Sequence, residues 1–116
     1  MNNNQNNFNL VQRTTDYSID FIRFIKTVNI ATINKPIIDQ VIRSVTSIGA
    51  NYHEASEADS KKDFQNKIRI CKKEAKETMY WLKLLAEVEP DKVVKIRELY
   101  REAHELVLIF SACIKN

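Results

Sequence analysis

A chain of 116 residues, 44% hydrophobic and 28% charged, makes one domain and can bury roughly two-thirds of the surface its unfolded form exposes. One glycine and two prolines are too few for a β-sandwich, which needs a turn signal every 8 to 12 residues or so; few, long helices are expected. The net charge of +3 is too small by itself to argue for nucleic acid.

Residues 1–13 form an Asn/Gln-rich tail, expected to be flexible, in which Phe8, Leu10 and Val11 offer apolar surface for docking on a neighbour. Residues 14–116 form the folded domain. The first helix is expected to start after Thr14 or Thr15, either of which can cap it, and to run to about Ala31 or Thr32. Tyr17, Phe21, Phe24, Ile25 and Val28 trace its buried stripe, and Ile19, Ile22 and Ile30 lie off it.

Asn34-Lys35-Pro36 breaks that helix, with Pro36 placed to open a second one running to about Ser56. Its buried side is Ile37, Ile38, Val41, Ile42, Val45, Ile48, Tyr52 and Ala55. Asp59 or Ser60 caps a third helix ending near Glu87, with Phe64, Ile68, Cys71, Ala75, Leu82 and Leu85 as its core stripe. Ile70, Trp81 and Leu84 extend a second stripe. Glu89-Pro90-Asp91 marks the last break before a fourth helix that carries Val93, Ile96, Leu99, Tyr100, Ala103, Leu106, Val107, Phe110, Cys113 and Ile114. Four helices with short connections pack most simply as an all-α, antiparallel up-down four-helix bundle.

The N-terminus has neither a basic region nor an apolar run, so no signal peptide is expected, and no stretch reaches the roughly 20 apolar residues a membrane span needs. Cys71 and Cys113 fall on inner faces of different helices and are expected as reduced thiols of a cytoplasmic protein. No cofactor is expected. A di-iron bundle needs Glu-x-x-His on two helices, but Ala50 and Arg101 stand three residues before His53 and His104. Cys71 is mid-helix among apolar residues, where no helix dipole activates a thiolate, and one glycine excludes a phosphate loop. A catalytic site is not expected.

Two segments concentrate polar chemistry. Between Lys61 and Lys83 the third helix carries eight basic against three acidic side chains. Lys62, Arg69, Lys73 and Lys76 recur at spacings of 7, 4 and 3, with Lys72 beside them, so one side of the helix is a candidate for neutralising the phosphates of RNA or DNA. The plainer alternative is a solvated face whose lysines pair with Glu74 and Glu77. On the second helix Arg43, Ser47, Asn51 and Glu54 lie at i, i+4, i+8 and i+11 around the lone Gly49. They read as a polar network that fixes helix register, with Arg43 meeting Glu54 or Glu77, in preference to a ligand site. Gly49 and Ala50 would let a neighbouring helix approach closely.

Ser47-Ile48-Gly49-Ala50-Asn51, followed by Glu54-Ala55, resembles the Ser-Ile-Pro-Ala-Asn-x-x-Glu-Gly signature of the four-helix-bundle proteins first noticed in intervening sequences of 23S ribosomal RNA genes. Upstream the match extends to Arg43. Downstream, Ser60-Lys61-Lys62-Asp63-Phe64, Arg69-Ile70-Cys71 and Lys73 to Thr78 through Trp81-Leu82 look like that family's third helix. The similarity covers roughly residues 14–114, with Gly49 in place of the usual proline and Ser56 in place of the usual glycine. It implies an up-down bundle that assembles into a ring, typically a homopentamer, without known catalytic activity. A related group of bundles serves diversity-generating retroelements as accessory factors, through a basic surface that contacts nucleic acid or reverse transcriptase. The family's name reflects where its genes sit and does not imply ribosome binding.

The function expected is therefore that of a non-enzymatic oligomer that binds RNA or DNA through Lys62, Arg69, Lys72, Lys73 and Lys76. The alternative is a structural or protein-interaction module, serving a protein encoded nearby. Ile19, Ile22, Ile70, Tyr80 and Trp81, off the main stripes, are the candidate subunit interface, because a second apolar stripe on a bundle helix suits a partner surface.

Overall fold

A computed structural model describes the backbone of residues 3–114 and the side chains of residues 9–114. Within them are four α-helices, α1 (Asn3–Ile25), α2 (Lys35–Ser56), α3 (Lys61–Val88) and α4 (Val93–Cys113), a 3-10 turn at Pro90–Lys92, and no strand.

The first helix departs most from expectation. It begins at Asn3, so residues 3–13 of the expected tail are helical. Thr14 and Thr15 do not cap it: their hydroxyls donate to the carbonyls of Leu10 and Val11, both at 2.8 Å, one turn back inside the helix. Leu10 is buried and Val11 half-buried against the core, while the side chain of Phe8 lies outside the described residues. At its other end α1 stops at Ile25, short of the expected Ala31. There Thr27 and Val28 turn back onto the carbonyls of Phe24 and Ile25, and the buried Val28 pins the departing chain.

The α1–α2 loop is held by Asn34, whose side chain is 2% exposed. Its Oδ1 accepts from the Ala31 amide at 2.7 Å, and its Nδ2 donates to the Asn29 carbonyl and to Glu89 beyond the end of α3. Every polar atom of this side chain is therefore satisfied, as burial requires. Pro36 sits in the first turn of α2. Of the two candidate caps for α3, Ser60 is the one used; its Oγ accepts from the Asp63 amide at 3.1 Å.

The core holds the predicted stripes: Tyr17, Phe21, Phe24 and Val28 from α1 and its exit, Ile38, Val41, Val45, Ile48, Tyr52 and Ala55 from α2, Ile68, Cys71, Ala75, Leu82 and Leu85 from α3, and Ile96, Leu99, Ala103, Leu106, Val107 and Phe110 from α4. Ile25, Ile37, Ile42, Phe64, Tyr100, Cys113 and Ile114 pack against it half-buried. Ser44 and Thr78 complete the α2–α3 seam as a fully buried hydroxyl pair at 2.9 Å.

Contacts between neighbouring helices pair rising residue numbers on one with falling numbers on the other. Ser44 meets Thr78, Ile48 meets Cys71 and Glu54 meets Lys67 across α2 and α3. On the α1–α4 side the pairs are Arg13 with Glu102, Tyr17 with Leu99, and Asp20 with Lys95. Helices α1 and α3 share no Cα pair within 8 Å, so they lie on the diagonal. No helix among the described residues is long and apolar enough to cross a membrane.

Candidate nucleic-acid interface

The outer face of α3 is fixed by its inner one. Ile68, Cys71, Ala75, Thr78 and Leu82 are fully buried, which turns Lys62, Arg69, Lys73 and Lys76 to the opposite, exposed side. Lys72, half-buried, flanks them. Arg69, Lys72, Lys73, Lys76, Glu77, Tyr80 and Ile114 line one open groove, in which Ile114, just past the end of α4, supplies an apolar wall. Lys62 lies two turns nearer the start of α3, outside that groove.

The carboxylates expected to neutralise this face are engaged elsewhere. Arg43 reaches across from α2 to Glu74, with N–O distances of 3.2 and 3.5 Å, and to Glu77, while its Nε donates to Gln40. Glu54 is taken by Lys67 at 2.8 Å. Among the described residues, no carboxylate forms an ion pair with Lys62, Arg69, Lys72, Lys73 or Lys76. Arg69 has one weak contact, to the amide oxygen of Asn66 at 3.4 Å.

The polar row of α2 is a set of separate contacts and not one buried network. Arg43 is solvent-exposed and pairs with Glu74 and Glu77, never with Glu54. Asn51 donates to the Ser47 carbonyl of its own helix at 2.8 Å, and Ser47 enters only through that carbonyl. Only Arg43 and Glu54 of the four reach α3, and the buried Ser44–Thr78 pair joins the two helices next to Arg43. Spacing along α2 gave no signal for Glu74 or Thr78, because the register between two helices is not written in the period of either.

Gly49 is buried against α1: a Cβ there would stand 3.4 Å from the Thr14 carbonyl oxygen, an ordinary contact. The helix runs unbroken through it. Of the candidate interface residues, Ile19, Ile22, Ile70 and Tyr80 are exposed, whereas Trp81 is half-buried and packs edge-to-face on Tyr80 with ring centroids 5.0 Å apart.

A second cleft, between α1 and α4, has the opposite character. Asp16, Asp20, Glu98 and Glu102 line it, with Arg13 holding Glu102 through two bonds of 2.7 and 2.8 Å and Lys95 holding Asp20 at 2.9 Å. These hydrogen bonds raise the Arg13 and Lys95 pKa values against the opposing effect of burial.

No group of three or more His, Cys, Asp and Glu side chains among the described residues is placed to hold a metal ion. Cys71 is fully buried, and burial pushes its thiol up to about 12. Burial likewise raises Tyr17, whose hydroxyl donates to the Leu99 carbonyl at 2.5 Å, and Tyr52, pushed up to about 12.

Residues 6–112, nearly the whole chain, match the family described as 23S rRNA-intervening sequence protein. The chain belongs to that family. A crystal structure of a protein of unknown function, from the S23 ribosomal protein family of Bacteroides thetaiotaomicron VPI-5482, is similar to this 23S rRNA-intervening sequence family member along almost its full length. The two are 31% identical with a TM-score of 0.77, over 92% of this chain and 99% of that one. No curated protein matches the chain.

Proposed function

We propose that this family member is a non-enzymatic, cytoplasmic, self-assembling bundle of antiparallel up-down topology that binds RNA or DNA through the basic face of α3. One observation carries the nucleic-acid reading. Among the described residues, Lys62, Arg69, Lys72, Lys73 and Lys76 line one helix without an ion-pair partner, while Arg43 and Lys67 occupy Glu74, Glu77 and Glu54. Cations that no carboxylate holds in an ion pair are free to displace counterions from a phosphate backbone. The buried protonated thiol of Cys71 and the absence of Glu-x-x-His support a non-catalytic role. The opposed numbering of the helix contacts supports the up-down topology. That Cys71 and Cys113 are not joined as a disulfide supports a reducing compartment.

Anisotropy titration of labelled RNA and DNA between 50 and 200 mM salt tests this, both concentrations being roughly the range in which phosphate contacts are lost. Five phosphate contacts would give a slope of log K against log salt of about −3.5 on single strands and −4.5 on duplex. Reversing Lys72, Lys73 and Lys76 to Glu should abolish binding. No binding at low salt, or binding without salt dependence, refutes the proposal.

A second reading, a protein-interaction module serving a protein encoded nearby, is favoured by Ile30, Ile33 and Val94. They are 53%, 72% and 72% exposed, in the α1–α2 loop and at the start of α4. In that case charge reversal on α3 leaves capture of the neighbouring gene product intact.

A further inference from the structure

We infer that the α3 groove selects single-stranded over double-stranded nucleic acid, by stacking an unpaired base on Tyr80 while the adjacent cations hold its flanking phosphates. The inference rests on the nucleic-acid reading above and names the class of ligand for that site.

Tyr80 follows Lys76 by four residues and Lys73 by seven, so it continues the basic row one and two turns further along the same side of α3. It is 54% exposed, although most large aromatic side chains are drawn inward. Its ring is held in place: Trp81 packs against it edge-to-face at 5.0 Å and 74°, and is itself packed on the core. Ile114 presents an apolar wall to the same groove. A site built for phosphate alone has no use for an aromatic plane and an isoleucine among its cations.

The geometry distinguishes strands because of what each can offer a ring. In a duplex the base faces are stacked on one another, and exposing one requires that it first be unstacked and unpaired. A single strand presents the face of every base, and stacking one on an aromatic side chain is sequence-tolerant. Cations flanking a stacking platform are the combination that single-strand grooves use.

The test is anisotropy of a fluorescein-labelled 20-nucleotide single strand, low in self-pairing, against its own duplex at low salt. The single strand should bind more tightly by about 5- to 150-fold, the range that one stacked base supplies. Tyr80→Ala should erase that preference and Tyr80→Phe keep it, with duplex affinity and its salt slope unchanged in both; circular dichroism melts should match the parent protein, since Tyr80 is exposed. Equal affinity for both strands with a silent Tyr80→Ala overturns this inference and leaves the phosphate-binding proposal standing. Failure of both strands to bind removes the proposal itself, and the inference with it.

Discussion

Cys71 and Tyr52 show how burial alone sets the chemistry of a side chain. The Cys71 thiol has no exposed surface and faces the Ile48 carbonyl at 3.7 Å, so its thiolate would be desolvated. Burial therefore pushes it from 9.0 up to about 12, and Tyr52 from 10.0 to about 12. Both groups keep their protons in the folded chain where the unfolded chain has lost them. At pH 7, well below the unfolded thiol's 9.0, the two states bind essentially equal numbers of these protons and stability is unaffected. As pH rises from about 9 towards 12 the unfolded state ionises first, and stability should fall by no more than about 1.4 kcal/mol per pH unit per group. Urea midpoints at pH 7, 9 and 10.5 measure this; Cys71→Ala should flatten the first part of the decline. A midpoint independent of pH up to 10.5 would show that these groups are not protected. The sequence made Cys71 legible as inert core, through its place in a helical stripe. It did not make Asn34 legible as anything but a helix breaker, because its three bonds are to a loop and to Glu89 across the bundle.

Helix ends were legible where a local signal controls them. Pro36 and Ser60 set the starts of α2 and α3, through a fixed φ and a side-chain cap. At α1 the local signal misled: Thr14 and Thr15 carry cap chemistry, but their hydroxyls bond back into a helix that Leu10 and the Arg13–Glu102 pair anchor against α4. Gly49 offers a test at the scale of two packed helices. Its polar surroundings suggested a steric need for glycine, yet the nearest atom to an added Cβ is the Thr14 carbonyl oxygen at 3.4 Å. Gly49→Ala should thus stabilise the protein by about 0.5–1 kcal/mol, the helix-propensity gain. Gly49→Leu should instead destabilise by roughly 1–3 kcal/mol through overpacking against α1. Chemical denaturation reads both; a destabilised alanine variant would show that α1 and α2 lie closer than this.

At the scale of the whole molecule the charge is divided. Cations without an ion pair among the described residues line the groove on α3, and acidic side chains line a different cleft, between α1 and α4. Self-assembly into a ring would arrange several α3 faces together and raise the affinity for a long strand by effective concentration. With Tyr80 assigned to the groove and Trp81 packed on it, Ile19 and Ile22 on α1, 39% and 44% exposed, and Ile70 on α3 are the candidate interface residues left for that contact. Sedimentation velocity should give a species near five times the 13.5 kDa chain, and Ile19→Asp with Ile22→Asp should dissociate it. A clean monomer at micromolar concentration refutes the ring.

The four helices, their inward faces and the family could all be read along the chain, because the period of an α-helix and the chemistry of a cap are properties of neighbours in sequence. The sequence also placed five cations on one side of α3. What it left open was whether those cations were neutralised. That answer needs the packed bundle, since the choice of Arg43 over the α3 lysines as partner of Glu74 and Glu77 depends on how α2 lies against α3. Residues 31 and 34 positions apart in the chain are brought into contact by the packing of two helix surfaces, which no periodicity along a single helix encodes.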